Sequence, residues 1–255
     1  MIGQNKLKSL IRALTYSTFP NVVLLVGEEG SGKHTLIKEE IQPILNIESK
    51  NITDSISYEG IGEIYLSPIP YLYTIEIDFL STKKFNVLLK FLEEPPENCK
   101  IILLASTLAT IIPTLLNRCQ IWVMEPYSDE ELLNFTNNKT ALIYMHTPGK
   151  LLNTSFINDL PAMIELSKNI ILKYKNVTLS NLLSVSSRID WDKTDSSKFN
   201  AKLFNDIFIF ESAELFKSRH INEVQYNIVH EYVNNLVIKR NNFERCLVQL
   251  KFYGY

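Results

Sequence analysis

The sequence predicts an α/β fold, an open and mostly parallel sheet followed by an all-helical remainder, on three observations. Val22-Val23-Leu24-Leu25-Val26 is an apolar, largely β-branched run with no polar interruption, the pattern of a central strand covered on both faces. It feeds straight into a glycine-rich turn over residues 27–35, and residues 35–45 then carry helical spacing. Further apolar strands alternate with helical segments up to Met124, and the pattern beyond is helical. Alternation of this kind implies parallel strands with helices on both faces.

Before the first strand, Leu7, Leu10, Ile11 and Leu14 fall at helical spacing within residues 5–16, with Lys6, Lys8 and Arg12 outward. Residues 46–70 read as loop and turns, from Ser49, Asn51, Thr53, Asp54 and Ser55 and then Gly60, Gly62, Pro68 and Pro70. A short strand is expected there over residues 61–66. The next strand covers residues 71–77. A helix over 82–92 places Phe85, Leu88, Leu89 and Leu92 on one face, and Pro95-Pro96 stop it. Residues 100–105 form a strand, 111–116 a short helix begun near Pro113, and 120–124 the last strand. Ser128 with Glu131 three residues on is a capping box opening a helix to about Asn137. Helical segments near 139–145 and 149–157 are joined by Thr147-Pro148-Gly149. Residues 179–187, 199–217 and 223–239 are the clearest later helices, and 191–197 the expected exposed connection.

The 255 residues are 45% hydrophobic and 21% charged, enough for one large domain or two to three smaller ones. Lysine plus arginine total 26 against 28 acids, a net charge of -2 that excludes a strongly basic nucleic-acid coat but permits a local basic track. Cys99, Cys119 and Cys246 are odd in number and far apart. They fit a reducing compartment and cannot make a four-cysteine zinc site, so no metal ligands are assigned. The polar start Met1 to Lys6 has no apolar signal core, and no uncharged apolar run reaches about 18 residues. A cytoplasmic location without membrane contact is expected.

Gly27, Gly30 and Gly32, with Ser31 between the last two, let backbone N–H groups converge on phosphate oxygens at the start of the following helix. Lys33 would place its ammonium between β- and γ-phosphates. His34 stands where a Ser or Thr hydroxyl reaches magnesium, and an imidazole binds that ion poorly. Thr35 comes one residue late, and Glu28 and Glu29 oppose a phosphate unless they point away. Glu76 and Asp78 are the only acids on the second strand. If Glu76 takes the water-activating place, weakly or as a vestige, the magnesium-holding aspartate is expected where Ile75 stands; Asp78 would lie beyond the strand. A site without useful ATP hydrolysis follows, with nucleotide binding left open and a plain glycine turn as the other reading.

Ile2-Gly3-Gln4, Asn86-Val87-Leu88-Leu89-Lys90-Phe91-Leu92-Glu93-Glu94-Pro95-Pro96 and Pro113-Thr114-Leu115-Leu116-Asn117-Arg118-Cys119-Gln120 resemble the bacterial clamp-loader ATPases. These are the gamma/tau and delta-prime subunits of DNA polymerase III, in the AAA+ superfamily, and the resemblance spans about residues 1–150. It implies a RecA-like P-loop domain over 1–125, a helical lid over 126–160 and a helical collar over 161–255, in a ring of five subunits. It implies that Arg118, with Asn117 in place of the usual serine, acts in trans on a neighbour's ATP. A first sensor falls at Thr107, a second at Lys150, and the zinc cysteines of many relatives are absent. The delta-prime branch, with a degenerate site and a retained arginine finger, is the closest in kind. Partners implied are the other loader subunits, the sliding clamp and primer–template DNA; ATP and magnesium are possible ligands whose binding is not assured. An active gamma-like ATPase and a stand-alone nucleotide-binding regulatory protein are the alternatives.

Overall fold

Strands β1 (Val22–Val26), β2 (Glu48–Asn51), β3 (Tyr71–Glu76), β4 (Cys99–Ala105) and β5 (Gln120–Val123) form one parallel sheet in the order β2-β3-β4-β1-β5. The computed structural model describes residues 2–96, 99–109, 111–192, 197–234 and 239–254. These group into two units, Met1–Asn137 with His146–Lys150, and Asn138–Met145 with Leu151–Tyr255.

In the sheet unit, side-chain alternation sorts each inner strand onto two cores. Val22, Leu24, Val26, Ile101, Leu103, Tyr73 and Ile75 pack on one face with Val87, Leu88, Phe91 and Leu92 of the helix Thr82–Glu93. Val23, Leu25, Ile102, Leu104 and Leu72 pack on the other with Leu7 and Ile11 of the helix Asn5–Arg12. Leu36, Ile37, Ile41 and Leu45, from the helix that follows the glycine loop, complete that second core. Both faces are therefore covered, which is why the central strands read as unbroken apolar runs.

The helix after the loop runs over residues 33–45 and widens to a π turn at Ile37–Ile41. Arg12 ties the first helix to it. The guanidinium donates twice to Glu40, Nε to Oε2 and Nη2 to Oε1, each at 2.7 Å. Those bonds hold the largely buried Glu40 carboxyl below its ordinary range, against the opposing effect of burial. A carboxyl lowered on folding contributes stability above the ordinary carboxylate range, and loses it as pH falls through the native value. Glu40→Gln should therefore lower the denaturation midpoint near neutrality and leave it unchanged in acid. Urea titrations of both proteins from about pH 7 to about pH 3 check this.

Two expectations for residues 46–70 are corrected. Residues 61–66 are not a strand but the end of a helix, Tyr58–Leu66, capped by Ser57, whose hydroxyl accepts from the Gly60 N–H at 3.0 Å. Gly60 reads as a turn residue, yet a Cβ there would lie 2.2 Å from the Ser55 carbonyl oxygen, so the helix start needs a glycine. Glu48-Ser49-Lys50-Asn51, expected as loop, is an edge strand beside β3. All four side chains are exposed, so backbone pairing defines the strand and no apolar alternation marks it.

Other boundaries shift less. The first helix stops at Arg12, not near Tyr16. The capping box forms as expected, but its helix is only Asp129–Leu132. The expected 149–157 helix is divided, because Asn153 caps a new helix, Thr154–Lys173, after Pro148–Leu151 has ended.

The second unit is built from helices Lys139–Tyr144, Thr154–Lys173, Leu179–Ser184, Ala201–Lys217, Glu223–Asn234 and Arg240–Tyr253. A two-residue parallel pair, Ile189–Asp190 with Phe199–Asn200, interrupts the all-helical pattern expected there. Residue 160, the expected lid–collar boundary, falls inside the continuous helix Thr154–Lys173. Asn138, Asn153, Thr178 and Asn200 each cap a helix through a side-chain oxygen. The core gathers Phe204, Phe208, Tyr232 and Trp191 around the fully buried Phe243. Residues 193–196 of the expected connection and 235–238 of an expected helix lie outside the described residues. Among the described residues no helix is long and apolar enough to cross a membrane.

Candidate nucleotide site

Parallel pairing brings the carboxyl ends of the strands to one edge of the sheet. Val26 lies opposite Ala105 and Val123, and Glu76 opposite Leu104. The glycine loop, Glu76 and Ser106 therefore share the edge at which open α/β sheets bind ligands.

Gly30 and Gly32 take φ of 80° and 91°, the left-handed conformation that glycine adopts without strain. Ser31 is buried and its hydroxyl contacts the Met124 sulfur. The Tyr127 hydroxyl donates to the Ser31 carbonyl at 2.7 Å. Gln4 secures the strand end beside it, donating to the Glu125 carbonyl at 2.6 Å and accepting from its N–H at 2.8 Å. Lys33 starts the following helix, and its ammonium donates back to the carbonyls of Gly27 and, at 3.2 Å, Glu28.

A second segment lies on the loop; the resemblance points to its lysine, and Thr147-Pro148-Gly149 is expected only as a join between helices. The Thr147 hydroxyl donates to the Glu29 carbonyl at 3.0 Å, and the Gly149 N–H to the Gly30 carbonyl at 2.8 Å. Lys150 is buried and its ammonium lies 2.6 Å from the Glu28 carboxylate. The unexplained acid beside a phosphate loop was the one sequence signal for that ion pair.

The residues fit a phosphate group better than they fit its magnesium. His34 is exposed and its Nε2 lies 3.4 Å from the Glu76 carboxylate, so these two side chains face each other. Thr35 is also exposed. Ile75 is fully buried in the core on the opposite sheet face from the loop's helix. Asp78 is engaged elsewhere: its Oδ2 accepts from the Ser106 N–H at 2.8 Å and hydroxyl at 2.7 Å. The Glu76 carboxylate is thus the hard oxygen donor that faces the loop's helix, with an imidazole rather than a hydroxyl at position 34 beside it, a poorer set than magnesium ordinarily takes.

The remaining candidates are spread over the unit. Arg118, in the turn after the helix Pro113–Leu116, donates to Glu93 Oε1 at 2.7 Å and to the Thr114 carbonyl at 2.6 Å. Its side chain remains 31% exposed. Thr107 is exposed and its hydroxyl accepts from the Ala109 N–H at 3.2 Å. Burial pushes the Cys119 thiol up to about 11, which makes it inert rather than nucleophilic near neutrality. Lys84 donates to the carbonyls of Thr53 and Asp54 at 3.2 and 2.9 Å. Among the aromatic residues, Trp122, Phe208 and Tyr232 are buried, whereas Phe210 and Phe216 are partly exposed. Phe216 stacks on Tyr226.

Residues 72–128 match the family model described as DNA polymerase III, delta subunit. Over 81 residues the chain is 36% identical to DNA polymerase III subunit gamma of Buchnera aphidicola subsp. Acyrthosiphon pisum (strain APS), covering 30% of this chain and 22% of that one. Over 155 residues it is 32% identical to DNA polymerase III subunit tau of Bacillus subtilis (strain 168), covering 47% and 27%. These matches span 22% and 27% of the relatives' own length. A solved DNA polymerase III gamma subunit-related protein from Thermotoga maritima aligns with 96% of this chain and 83% of its own, at 17% identity and a TM-score of 0.39. That likeness is too slight to argue from.

Proposed function

We propose, given that the chain is homologous to the gamma/tau/delta-prime branch of AAA+ clamp-loader subunits, that it is a loader subunit which binds nucleotide at residues 27–35 with little or no turnover. The observation that carries this reading is the split character of the site. Gly30, Gly32 and Lys33 have the conformation and charge to receive phosphate, whereas His34 replaces the expected hydroxyl, Ile75 is turned into the opposite core, and the strand carboxylate facing His34 is Glu76. On this reading Arg118 serves a neighbouring subunit's ATP, Thr107 and Lys150 act as sensors, and Glu76 is vestigial. Residues 126–160 and 161–255 then act as lid and collar, and the partners are the other subunits, the sliding clamp and primer–template DNA.

The named relatives are gamma and tau subunits, which favours gamma-like descent over delta-prime and keeps an active gamma-like ATPase as the second reading. ATP titrated into the chain with magnesium or with EDTA separates the two. The proposal expects affinities within about threefold of each other, no steady turnover, and a loss of about 10–100-fold in Lys33→Ala, the worth of a charge-assisted contact. Magnesium-dependent tight binding with sustained hydrolysis would establish the gamma-like ATPase instead.

A further inference from the structure

Lys150 and Glu28 make an unequal pair. The lysine side chain is 8% exposed and the glutamate 48%, with 2.6 Å between Nζ and Oε1. A buried ammonium needs an anion close by, whereas a half-exposed carboxylate can turn into water at small cost. The backbone around the pair is fixed at neighbouring points. Thr147 bonds the Glu29 carbonyl and Gly149 the Gly30 carbonyl. A Cβ on Gly149 would come within 2.6 Å of the Gly30 Cα, so the two backbones are in direct contact. The segment thus presents a cation to the loop that would cradle phosphate, and the loop itself supplies an anion to it.

We propose that the Glu28 carboxylate is a built-in phosphate surrogate: it holds Lys150 on the loop and competes with nucleotide phosphate for that ammonium. The inference rests on the reading of residues 27–35 as a nucleotide site and adds the residue that sets its affinity. Nucleotide binding then exchanges one anion for another at Lys150: the exposed carboxylate leaves and the buried lysine stays. Glu28 thereby explains its own presence in a loop whose task opposes negative charge.

The test uses the full chain as wild type, Glu28→Gln, Lys150→Met and the double variant, each titrated with ATP. Hydrogen exchange over residues 146–150 is followed without nucleotide, and exchange in β1 and β4 controls for folding. Glu28→Gln should tighten ATP binding by about 5–20-fold, within the usual range of coupling between sites. In the Lys150→Met background the same change should alter affinity by less than about twofold. Without nucleotide, Glu28→Gln should speed exchange at residues 146–150. An equal gain in both backgrounds would mean simple repulsion of phosphate and overturn the competition. Unchanged exchange would overturn the clasp. If Lys33→Ala weakens ATP binding while Glu28→Gln leaves it unchanged, the competition alone fails. No ATP binding by any variant would remove the nucleotide reading itself.

Discussion

On the proposed reading, Arg118→Ala in a reconstituted loader should cut DNA-stimulated ATP hydrolysis at the neighbouring site it serves by about 10³-fold or more, the usual worth of an arginine supplied in trans to phosphoryl transfer, while the subunit still folds and assembles. The structure separates these two effects. Within its own chain the guanidinium makes an ion pair with Glu93 at 2.7 Å and bonds the Thr114 carbonyl at 2.6 Å, with the side chain 31% exposed. Ion pairs in such partly solvated positions are worth about 0–1 kcal/mol, so removing this one leaves the sheet unit standing. Steady-state hydrolysis with primed DNA, together with subunit incorporation by gel filtration, gives the answer. Wild-type hydrolysis with the variant fully incorporated would reduce Arg118 to a surface ion-pair partner of Glu93.

Phe243→Ala should lower the stability of the helical unit by about 3–5 kcal/mol, the range for deleting a buried phenylalanine ring. Phe243 is fully buried, and the rings of Trp191, Phe204, Phe208 and Tyr232 have centroids 5.4–5.8 Å from its own. Four helical or flanking segments meet there, so truncation opens a cavity that no single neighbour can fill. Phe243→Leu keeps most of the volume and should cost less than half as much. Guanidinium unfolding followed by tryptophan fluorescence reads both, since Trp191 abuts the ring. A loss under about 1 kcal/mol for the alanine variant would show that the aromatic cluster is not the centre of that unit's core.

The sheet was legible because its inner strands are covered on both faces, and Val22–Val26 and Cys99–Ala105 have every residue buried. The edge strand Glu48–Asn51 was not, since it buries none of its side chains. The helix Tyr58–Leu66 was hidden by its glycines, and one of them is there for close contact with the Ser55 carbonyl rather than for a turn. At the candidate site, the left-handed glycines that lead into the helix at Lys33 were legible from residue type and spacing alone. The docking of Thr147 and Gly149 was not, because those bonds run through backbone carbonyls about 118 residues distant, a pairing that a linear pattern does not carry. Likewise Asp78 looked like a displaced acid, and only the β3–β4 pairing shows that it fastens Ser106.

The alternation of β3 has an evolutionary corollary. Glu76 faces the loop's helix, while Ile75 is sealed into the opposite core among Leu24, Val26 and Leu103. An aspartate introduced at 75 would enter a dry apolar layer, at a penalty of several kcal/mol unless metal or new donors meet it. His34 would have to change as well. On the proposed reading an aspartate at 75 would still point away from the loop, so this single substitution cannot restore turnover, and the loss behaves as a ratchet.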